Sequence, residues 1–342
     1  MVYTFELIKH ANIRYRDAFS TLARFELFVM LFSLGITTEI QEETLGGSCF
    51  LTFESRLLAS DELAFLSGHS SIVFMAEKVG IHLNPLPVSF DSYLGEDLPE
   101  VLKYKGKTSV PFTRMMINVS AALSSFRGQK EPLTFFDPVC GKGTGCFCAL
   151  CAGMNAYGLD VNRKEIREAT DYFSRYLKYH KLKHEMKTRS ETSSGHPIPV
   201  TVFTFADSRE HFQEKNVHTL SLSCTDTMDS PALFRHTKAH IIAADLPYGI
   251  QHAPQAGMRP ESMTRFLYRV LPSWKQCLST GGVIALSFNT LTLPADEVRK
   301  ALVSSGFRLP ANEMFFQLRH EVEHAVVRDV VFAFNTEEVP DL

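Results

Sequence analysis

The chain has 342 residues, of which 45% are hydrophobic and 21% are charged, and its formal net charge is −3. This length accommodates one large or two medium domains with their own cores. The composition is that of an ordinary globular protein, which excludes a disordered or fibrous chain. The slightly acidic balance argues against a protein that simply coats nucleic acid, so a nucleic-acid enzyme would need a local basic patch.

The N-terminus and the cysteine count indicate the compartment. Residues 1–5 carry no basic segment, and Glu6 falls where a signal peptide would be apolar. The longest apolar run, 25–36, contains Glu26 and is too short to span a bilayer. The seven cysteines do not suggest the disulfide framework of a small secreted domain. We therefore expect a soluble, cytoplasmic protein with reduced thiols.

Four cysteines lie close together in the sequence, and a metal site has to be considered. Three of them fall on one predicted helix, where only Cys148 and Cys151 are spaced to be neighbours. Two thiols without a histidine do not make a zinc site. We expect small buried side chains on a crowded helix and no metal site. The four cysteines are Cys140, Cys146, Cys148 and Cys151.

The first 85 residues alternate between strand-like and helix-like segments. Their order predicts a small α+β domain of βαββαβ type at residues 1–85. Residues 86–110 are rich in proline and glycine, which is typical of a linker. The predicted strands are 2–8, 36–40, 49–53 and 71–75, with a turn at Gly46-Gly47, and the predicted helices are 15–32 and 60–66.

Residues 111–342 form a second predicted domain of α/β class. Buried strands alternate with helices from Leu133 onward, which indicates a mostly parallel sheet. A short polar turn joins the last two strands, so we expect an open, Rossmann-like sheet that ends in an antiparallel hairpin. The seven predicted strands are 134–136, 156–159, 200–205, 241–244, 283–288, 314–319 and 326–334.

A glycine-rich turn follows the first of these strands. It opens with Asp137-Pro138 and continues through Cys140, Gly141 and Gly143 into a helix. Glycine allows the backbone to turn sharply and a ligand to approach closely, and the helix offers free amides to a polar group. Such a turn alone is weak evidence for a ligand.

Acidic residues at two further strand ends strengthen that evidence. Asp160, followed by Val161, ends the next strand about twenty residues downstream, where an acid can accept both hydroxyls of a ribose. Asp207-Ser208 follows the third predicted strand and would suit an adenine amino group. Three acids at three successive strand ends face one crevice, so we predict a nucleoside-type ligand.

A second motif, Asp245-Leu246-Pro247-Tyr248-Gly249, follows the fourth predicted strand. The Asp245 carboxylate and the Leu246 carbonyl can each accept one hydrogen of an amino group whose lone pair is delocalised. Holding that nitrogen closer to tetrahedral would aim its lone pair at an electrophile. Pro247 fixes the backbone, and Tyr248 offers a flat face for stacking.

These features together resemble the class I S-adenosylmethionine-dependent methyltransferases, over residues ~110–338. The second motif resembles the (Asn/Asp)-Pro-Pro-(Tyr/Phe) signature of enzymes that methylate amino nitrogens. A dinucleotide dehydrogenase is the rival, but its fingerprint lacks an acid at the start of the turn. The resemblance implies S-adenosylmethionine as the cofactor, with Asp137 and the glycines at its methionine part, Asp160 at the ribose and Asp207-Ser208 at the adenine.

One position departs from the signature, because Leu246 stands where the family has proline. Its carbonyl is still available, but its N–H and looser backbone leave room for a weakened enzyme or a non-catalytic scaffold. We expect that a proline there would be tolerated at little cost to folding.

A narrower resemblance is to the THUMP-associated tRNA guanine methyltransferases, which modify the exocyclic amine of guanine. It rests on the segment 102–109, on Met115-Met116-Ile117-Asn118 and on the ending 323–328. The first 85 residues are similar to the ferredoxin-like domain of that group. The chain between ~85 and 100 is too short for a THUMP domain, so the resemblance implies RNA, and tRNA less firmly, as the substrate.

A local basic stretch supplies the charge that RNA binding requires. Nine basic residues fall between Arg163 and Arg189, interleaved with Tyr172, Phe173, Tyr176 and Tyr179. The alternative is a solvated helix face with its aromatic side chains packed inward. DNA adenine and a protein glutamine amide offer the same kind of nitrogen and stay open as substrates.

Overall fold

The computed structural model describes residues 1–9, 13–87, 90–101, 107–247, 255–256, 259–323 and 326–337. Two main sheets are present within these ranges, one of five strands and one of nine. Tyr248 and Gly249, and residues 102–106 of the predicted linker, lie outside the described residues.

The five-stranded sheet is formed by the first 85 residues. Its strands are β1 (Val2–Leu7), β2 (Ile40–Leu45), β3 (Ser48–Glu54), β4 (Ile72–Val79) and β5 (His82–Pro85), with α1 (Ile13–Ser33) and α2 (Ser60–Ser67) between them. The order is β2-β3-β1-β4-β5, with antiparallel neighbours throughout. The predicted βαββαβ order is therefore observed, with β5 added at one edge. The second strand begins at Ile40 and not at 36 as predicted.

Alternation along β1 explains how this sheet buries one face. Tyr3, Phe5 and Leu7 point into a core shared with α1 and α2, whereas Thr4 on the other face contacts Thr52. Gly46 and Gly47 have φ of +57° and +84°, which suits the predicted two-residue turn between β2 and β3.

The nine-stranded sheet has the order β15-β16-β14-β11-β6-β7-β10-β9-β8. Strands β6, β7, β10, β11 and β14 are parallel, whereas β9 and β16 run antiparallel to them. The strands are β6 (Thr134–Asp137), β7 (Asn155–Asp160), β8 (His184–Ser193), β9 (His196–Phe205), β10 (His218–Cys224), β11 (Ala239–Asp245), β14 (Leu278–Asn289), β15 (His320–Glu323) and β16 (Val326–Asn335). Two two-residue strands, β12 (Gln255–Ala256) and β13 (Arg259–Pro260), pair separately.

Helices cover both faces of this sheet, which buries the parallel strands from two sides. One core includes α4, α5 and α6, and the other includes α8, α9 and α10. The helices are α3 (Leu98–Val101), α4 (Val110–Leu123), α5 (Thr144–Cys151), α6 (Arg163–Tyr179), α7 (Arg209–Gln213), α8 (Ser230–Leu233), α9 (Met263–Cys277) and α10 (Ala295–Ser304), with 3₁₀ turns at Thr227–Asp229 and Glu313–Phe316.

Helix α1 contributes to the cores of both sheets. Leu27 and Leu31 pack in the core of the five-stranded sheet, whereas Phe25 contacts Phe315 of the 3₁₀ turn and Phe332 of β16 at ring separations of 4.9 and 5.9 Å. A helix that is apolar on opposite faces is buried between layers. Within the described ranges, no helix is long and apolar enough to cross a membrane.

Two predictions for the larger sheet need correction: the strand at 200–205 is present but runs antiparallel, and 314–319 is not a strand. The segment 200–205 belongs to the antiparallel strand β9, which forms a hairpin with β8. Ser194 and Gly195, with φ of +47° and +81°, form the turn of that hairpin, and the third parallel strand is β10. The segment 314–319 begins as a 3₁₀ turn, because the Asn312 side chain accepts the N–H of Met314 at 2.9 Å. An antiparallel C-terminal hairpin is present as predicted, but its first strand is β15 at 320–323 and not 314–319.

Candidate active site

The candidate site lies at one edge of the nine-stranded sheet, where the parallel strands end. Strand order reverses at β6, which has β7 on one side and β11 on the other. Open α/β sheets bind their ligands in the crevice at such a point. Asp137 ends β6 and Asp245 ends β11, so these two predicted residues flank the crevice.

The glycine-rich turn joins β6 to α5 as predicted. The N–H of Cys140 donates to the Leu159 carbonyl at 2.8 Å, which fastens the turn to the end of β7. Gly141 and Gly143 have φ of +51° and +88°, a backbone conformation that disfavours side chains. Pro138 is buried at the beginning of the turn. This path brings the beginning of α5 next to the crevice.

Asp137 is buried beneath the start of α5. A Cβ at Gly145 would lie 2.6 Å from Asp137 Oδ2, so glycine there lets the helix approach the carboxyl group. Burial, together with the nearby charges of Asp160 and Asp245, raises the pKa of Asp137 to about 8, against the donated N–H of Val139. Asp137 is therefore mostly protonated at neutral pH and would ionise most readily beside a cation.

Asp160 holds the glycine turn from the adjacent strand. Its Oδ2 accepts the N–H of Gly141 at 2.9 Å, and its Oδ1 accepts the N–H of Asn162 at 2.8 Å. The carboxylate is half-buried, and the neighbouring Val161 is exposed. Asp160 thus lies at the crevice edge with the turn, where the sequence predicted it.

The structure does not bring Asp207 and Ser208 into this crevice. Phe205, the last residue of β9, pairs with His218, the first residue of β10, so Asp207 lies at the opposite edge of the sheet. There Asp207 contacts His211 Nδ1 at 2.6 Å, which raises the pKa of that histidine, and Ser208 caps α7. The predicted position of both residues beside Asp160 is wrong, because β9 runs antiparallel.

Asp226 occupies the place that was predicted for Asp207. Cys224 ends β10 and pairs with Asp160, and Asp226 follows two residues later. The Asp226 carboxylate accepts the N–H of Met228 at 2.9 Å and lies 3.6 Å from Arg269. The prediction missed Asp226, although an acid two residues after the alternating run His218–Cys224 was a usable signal.

Asp245 accepts hydrogen bonds from three side chains at this edge. The Ser287 hydroxyl donates to Oδ1 at 2.8 Å, and Oδ2 accepts from the Thr108 hydroxyl and from Arg328 Nη2, the latter at 3.3 Å. These donors come from β14, from the segment before α4, and from β16. The prediction assigned no role to any of the three donors.

Of the second motif after Asp245, the structure describes Leu246 and Pro247. The N–H of Leu246 donates to the Ser287 carbonyl at 2.8 Å, and its side chain is buried. This hydrogen bond argues against the expectation that proline is tolerated there, because proline has no N–H to donate. Pro247 is half-buried, and Tyr248 lies outside the described residues.

The clustered cysteines are free and buried around α5. Burial raises the pKa of Cys151 to about 12 and that of Cys148 still further, so both are thiols at neutral pH. Gly158 lies against Cys140 and Cys146, where a Cβ would come within 2.9 Å of both sulfur atoms. Among the residues that the structure describes, no group of three or more potential ligands could hold a metal ion.

The basic stretch is divided between the two edges of the sheet. Tyr172, Phe173 and Tyr176 pack inward, as the alternative interpretation expected, whereas Tyr179 is 82% exposed. Helix α6 runs away from Asp160, and Lys183 contacts Ala206 at the far edge. Arg189 is level with Ser223, close to the candidate site, because both pair with Val200.

The chain is similar to several solved structures at low sequence identity. No family model matches this chain, and no curated protein matches it. The chain is similar to the crystal structure of TrmN from Thermus thermophilus, with a TM-score of 0.41 and 14% identity, over 87% of this chain. It spans 59% of the TrmN chain.

Two further solved structures extend this comparison. The rRNA methyltransferase AviRa from Streptomyces viridochromogenes has a TM-score of 0.42 and 12% identity, over 71% of this chain and 91% of its own. Magnesium protoporphyrin IX methyltransferase (ChlM) from Synechocystis PCC 6803, solved with bound SAM, has a TM-score of 0.38 and 15% identity, over 67% of this chain and 86% of its own. At these values each similarity concerns the general arrangement of elements, and the fold described above rests on the observed strand order.

Proposed function

We propose that this chain transfers a methyl group from S-adenosylmethionine to an exocyclic amino group of an RNA base, with guanine in tRNA favoured. The observation that carries this proposal is the Asp245 carboxylate. It ends β11 beside β6, so it lies at the same crevice as the glycine-rich turn. The proposed acceptor of the amino group, Asp245, is therefore adjacent to the glycine-rich turn that is proposed to bind the nucleoside.

The residues at the crevice fit S-adenosylmethionine. Gly141 and Gly143 bring backbone close to a ligand, and Asp160 offers a half-buried carboxylate suited to ribose hydroxyls. Asp137 would ionise next to the ammonium group of the methionine part, and Asp226 replaces Asp207 as the acid proposed to face the adenine. When bound, S-adenosylmethionine supplies a methyl group on a sulfonium, which a nitrogen lone pair can attack.

The chain's own residues position the acceptor nitrogen. Asp245 and the Leu246 carbonyl would each accept one hydrogen of the amino group, which draws its lone pair out of conjugation. In a transfer to this nitrogen, the sulfur–methyl bond of the cofactor would break as the nitrogen–methyl bond forms, and one of the two hydrogens held by Asp245 and Leu246 would leave as a proton to solvent. Catalysis of this kind consists of positioning and electrostatics. Tyr248 is proposed as the stacking face.

The RNA assignment rests on charge near the site and on the resemblance in sequence. Lys187 and Arg189 are exposed on β8, and Arg189 is level with the end of β10. We also propose that residues 1–85 are a ferredoxin-like domain, supported by the strand order β2-β3-β1-β4, with 86–110 as a linker and 111–342 as the catalytic domain. We propose a cytoplasmic location.

A non-catalytic scaffold is the second candidate, and Leu246 is the observation that favours it. Its N–H is engaged with Ser287, so the backbone at this position differs chemically from a proline-containing signature. A scaffold would keep the crevice without efficient transfer.

Methyl transfer from labelled S-adenosylmethionine into RNA, DNA and protein from cells lacking the gene tests the proposal. We expect label in RNA, as a methylated exocyclic amine. Asp245→Ala should lower turnover roughly 10²–10³-fold with nearly unchanged cofactor affinity, because the carboxylate is assigned to the substrate. Asp207→Ala is the matched control and should retain activity. Label in protein or DNA in place of RNA would show that RNA is not the substrate. The absence of label from all three fractions would favour the non-catalytic scaffold.

A further inference from the structure

Arg328 lies directly behind the Asp245 carboxylate. Its side chain is 3% exposed, whereas that of Asp245 is 22% exposed. The guanidinium carbon sits 5.1 Å from the centre of the Phe112 ring, which supports it on one side. The two partners of this ion pair therefore differ in exposure: the arginine is enclosed by protein, and the carboxylate faces the crevice.

The geometry leaves Asp245 capacity for one more donor. An ionised carboxylate has about four lone-pair positions. Thr108, Ser287 and Arg328 occupy three of them, two on Oδ2 and one on Oδ1. The carboxylate cannot rotate without breaking these bonds, so the position that remains, on Oδ1, has a defined direction.

The pair also determines the charge that a substrate meets. Asp160 and Asp226 lie at the same edge, and Asp137, although mostly protonated at neutral pH, is a third acid there. His320, which pairs with Arg328 across β15 and β16, adds no positive charge, because burial lowers its pKa to about 4. Arg328 thus balances Asp245 and gives a strong acceptor without net charge.

We propose that Arg328 is a positioning residue that makes Asp245 an acceptor for a neutral amino group and not a site for a protonated amine. This inference rests on the proposed function, because it concerns the group that Asp245 would bind. A protonated alkylamine such as lysine would be attracted by an unbalanced carboxylate. An aromatic or amide nitrogen is neutral and gains only the directed hydrogen bond.

A double-mutant design separates this role from a structural one. Arg328→Met should lower kcat roughly 10²-fold with little change in the KM for S-adenosylmethionine, because Asp245 loses its direction and its counter-charge. The substitution Asp245→Asn leaves a neutral oxygen acceptor, which needs no counter-ion. The double variant Asp245→Asn/Arg328→Met should therefore be roughly tenfold more active than Arg328→Met alone. Arg328→Lys should fall between wild type and Arg328→Met.

Arg299→Met is the matched control. Arg299 also lies over a phenylalanine, 4.8 Å from the Phe316 ring centre, and pairs with an aspartate on α10. Its loss should leave kcat within about twofold of wild type, since a surface ion pair contributes little. Equal losses in the two arginine variants would overturn the proposal.

The thermal midpoint gives a readout that does not require activity. Arg328→Met should lower Tm by several degrees, because it leaves a carboxylate without its counter-charge, and Asp245→Asn should recover most of that loss. If the second substitution restores neither kcat nor Tm, Arg328 has only a packing role and the inference fails. If wild type transfers no methyl group while the Tm coupling is present, the proposed function fails and the counter-ion role of Arg328 stands.

Discussion

Both ends of the nine-stranded sheet finish in an antiparallel hairpin, but Arg328 in one hairpin and Asp207 directly after the other lie at opposite edges of the sheet. Strands β16 and β9 both run away from the candidate site. Arg328 stands near the beginning of β16 and so reaches Asp245, whereas Asp207 follows the end of β9 and lies at the far edge. In a mixed sheet, the carboxyl ends of parallel strands and the amino ends of antiparallel strands share one edge.

The first prediction concerns Asp137, in the part of the sheet where the strand directions were predicted correctly. Its pKa is raised from 3.8 to about 8, so the folded chain holds a proton that the unfolded chain releases. The stability that Asp137 contributes is therefore fully present below about pH 4 and is lost as the pH rises to about 8. Asp137→Asn removes this dependence, and the difference in unfolding free energy between variant and wild type should grow across that interval.

Urea denaturation at several pH values measures this difference. Asp207→Asn at the opposite edge is the comparison variant: it removes the contact that raises the pKa of His211, so its stability difference should change only above about pH 6.5 and not between pH 4 and 6. Binding of S-adenosylmethionine should also release protons near neutral pH, because its ammonium group favours the ionised carboxyl; calorimetry in two buffers of different ionisation enthalpy detects this. A flat difference for Asp137→Asn would mean that the crevice is more hydrated than its burial indicates.

The second prediction concerns Asp160. Asp160→Ala should weaken S-adenosylmethionine binding by roughly 1.5–3 kcal/mol, the value of a hydrogen bond to a charged group. The substitution removes the acceptor of the Gly141 N–H as well as the proposed ribose acceptor. Isothermal calorimetry gives the affinity, and Asp160→Asn separates loss of charge from loss of the turn contact. Unchanged affinity in both variants would remove Asp160 from the cofactor site.

The correct and the incorrect predictions from the sequence fall in different parts of the nine-stranded sheet. Asp137, Asp160 and Asp245 were placed correctly at strand ends because each follows a short apolar run that is typical of a buried parallel strand. The hairpin β8–β9 was missed because β8 is polar and exposed, and its apolar partner resembles a parallel strand. The Ser194-Gly195 turn was the available signal.

The donors around Asp245 could not be predicted, because they come from distant parts of the chain. Thr108 is 137 residues from Asp245, and Arg328 is 83 residues away. Their meeting depends on the packing of α4 and on the pairing of β16 with β14, which no local pattern encodes. Sequence periodicity reports which face of an element is buried and not which side chains meet.

The third prediction compares Asp226 with Asp207. The sequence assigned Asp207 to the adenine, and the proposed site replaces it with Asp226. Asp226→Ala should weaken S-adenosylmethionine binding by about 1 kcal/mol, because the carboxylate is partly exposed and screened. Asp207→Ala should leave the affinity unchanged, since it lies at the other edge. Asp226→Asn keeps an oxygen for the Met228 N–H, so it controls for loss of that turn. A larger effect at Asp207 would contradict the strand order observed here.

The last prediction concerns the basic residues on either side of the β8–β9 hairpin. Lys187 and Arg189 lie on β8, and Arg189 is level with the last residues of β10. Lys178, Lys181 and Lys183 lie beyond the other end of the seven-residue strand β10, about 20 Å away. RNA whose base enters the crevice is therefore expected to meet the first pair before the lysines.

Charge reversal of each set compares the two edges directly. Lys187→Glu/Arg189→Glu should raise the KM for RNA several-fold and reduce the salt dependence of binding, with the slope of log K against log salt falling by about 1.4, as two lost phosphate contacts to a single strand require. The ion pairs of Lys187 with Glu185 and of Arg189 with Glu191 are exposed, so they weaken this effect only slightly.

Lys178→Glu/Lys181→Glu/Lys183→Glu should have a smaller effect per charge, although it reverses more of them. Cofactor affinity should stay constant in both sets, because neither touches the turn at Gly141. If the lysine set proves more damaging, RNA lies along the far edge of the sheet, and the base must reach the crevice around the outside of β8. If neither set changes KM or the salt slope, the stretch is a solvated surface, and a protein amide becomes the favoured acceptor for the same Asp245 carboxylate.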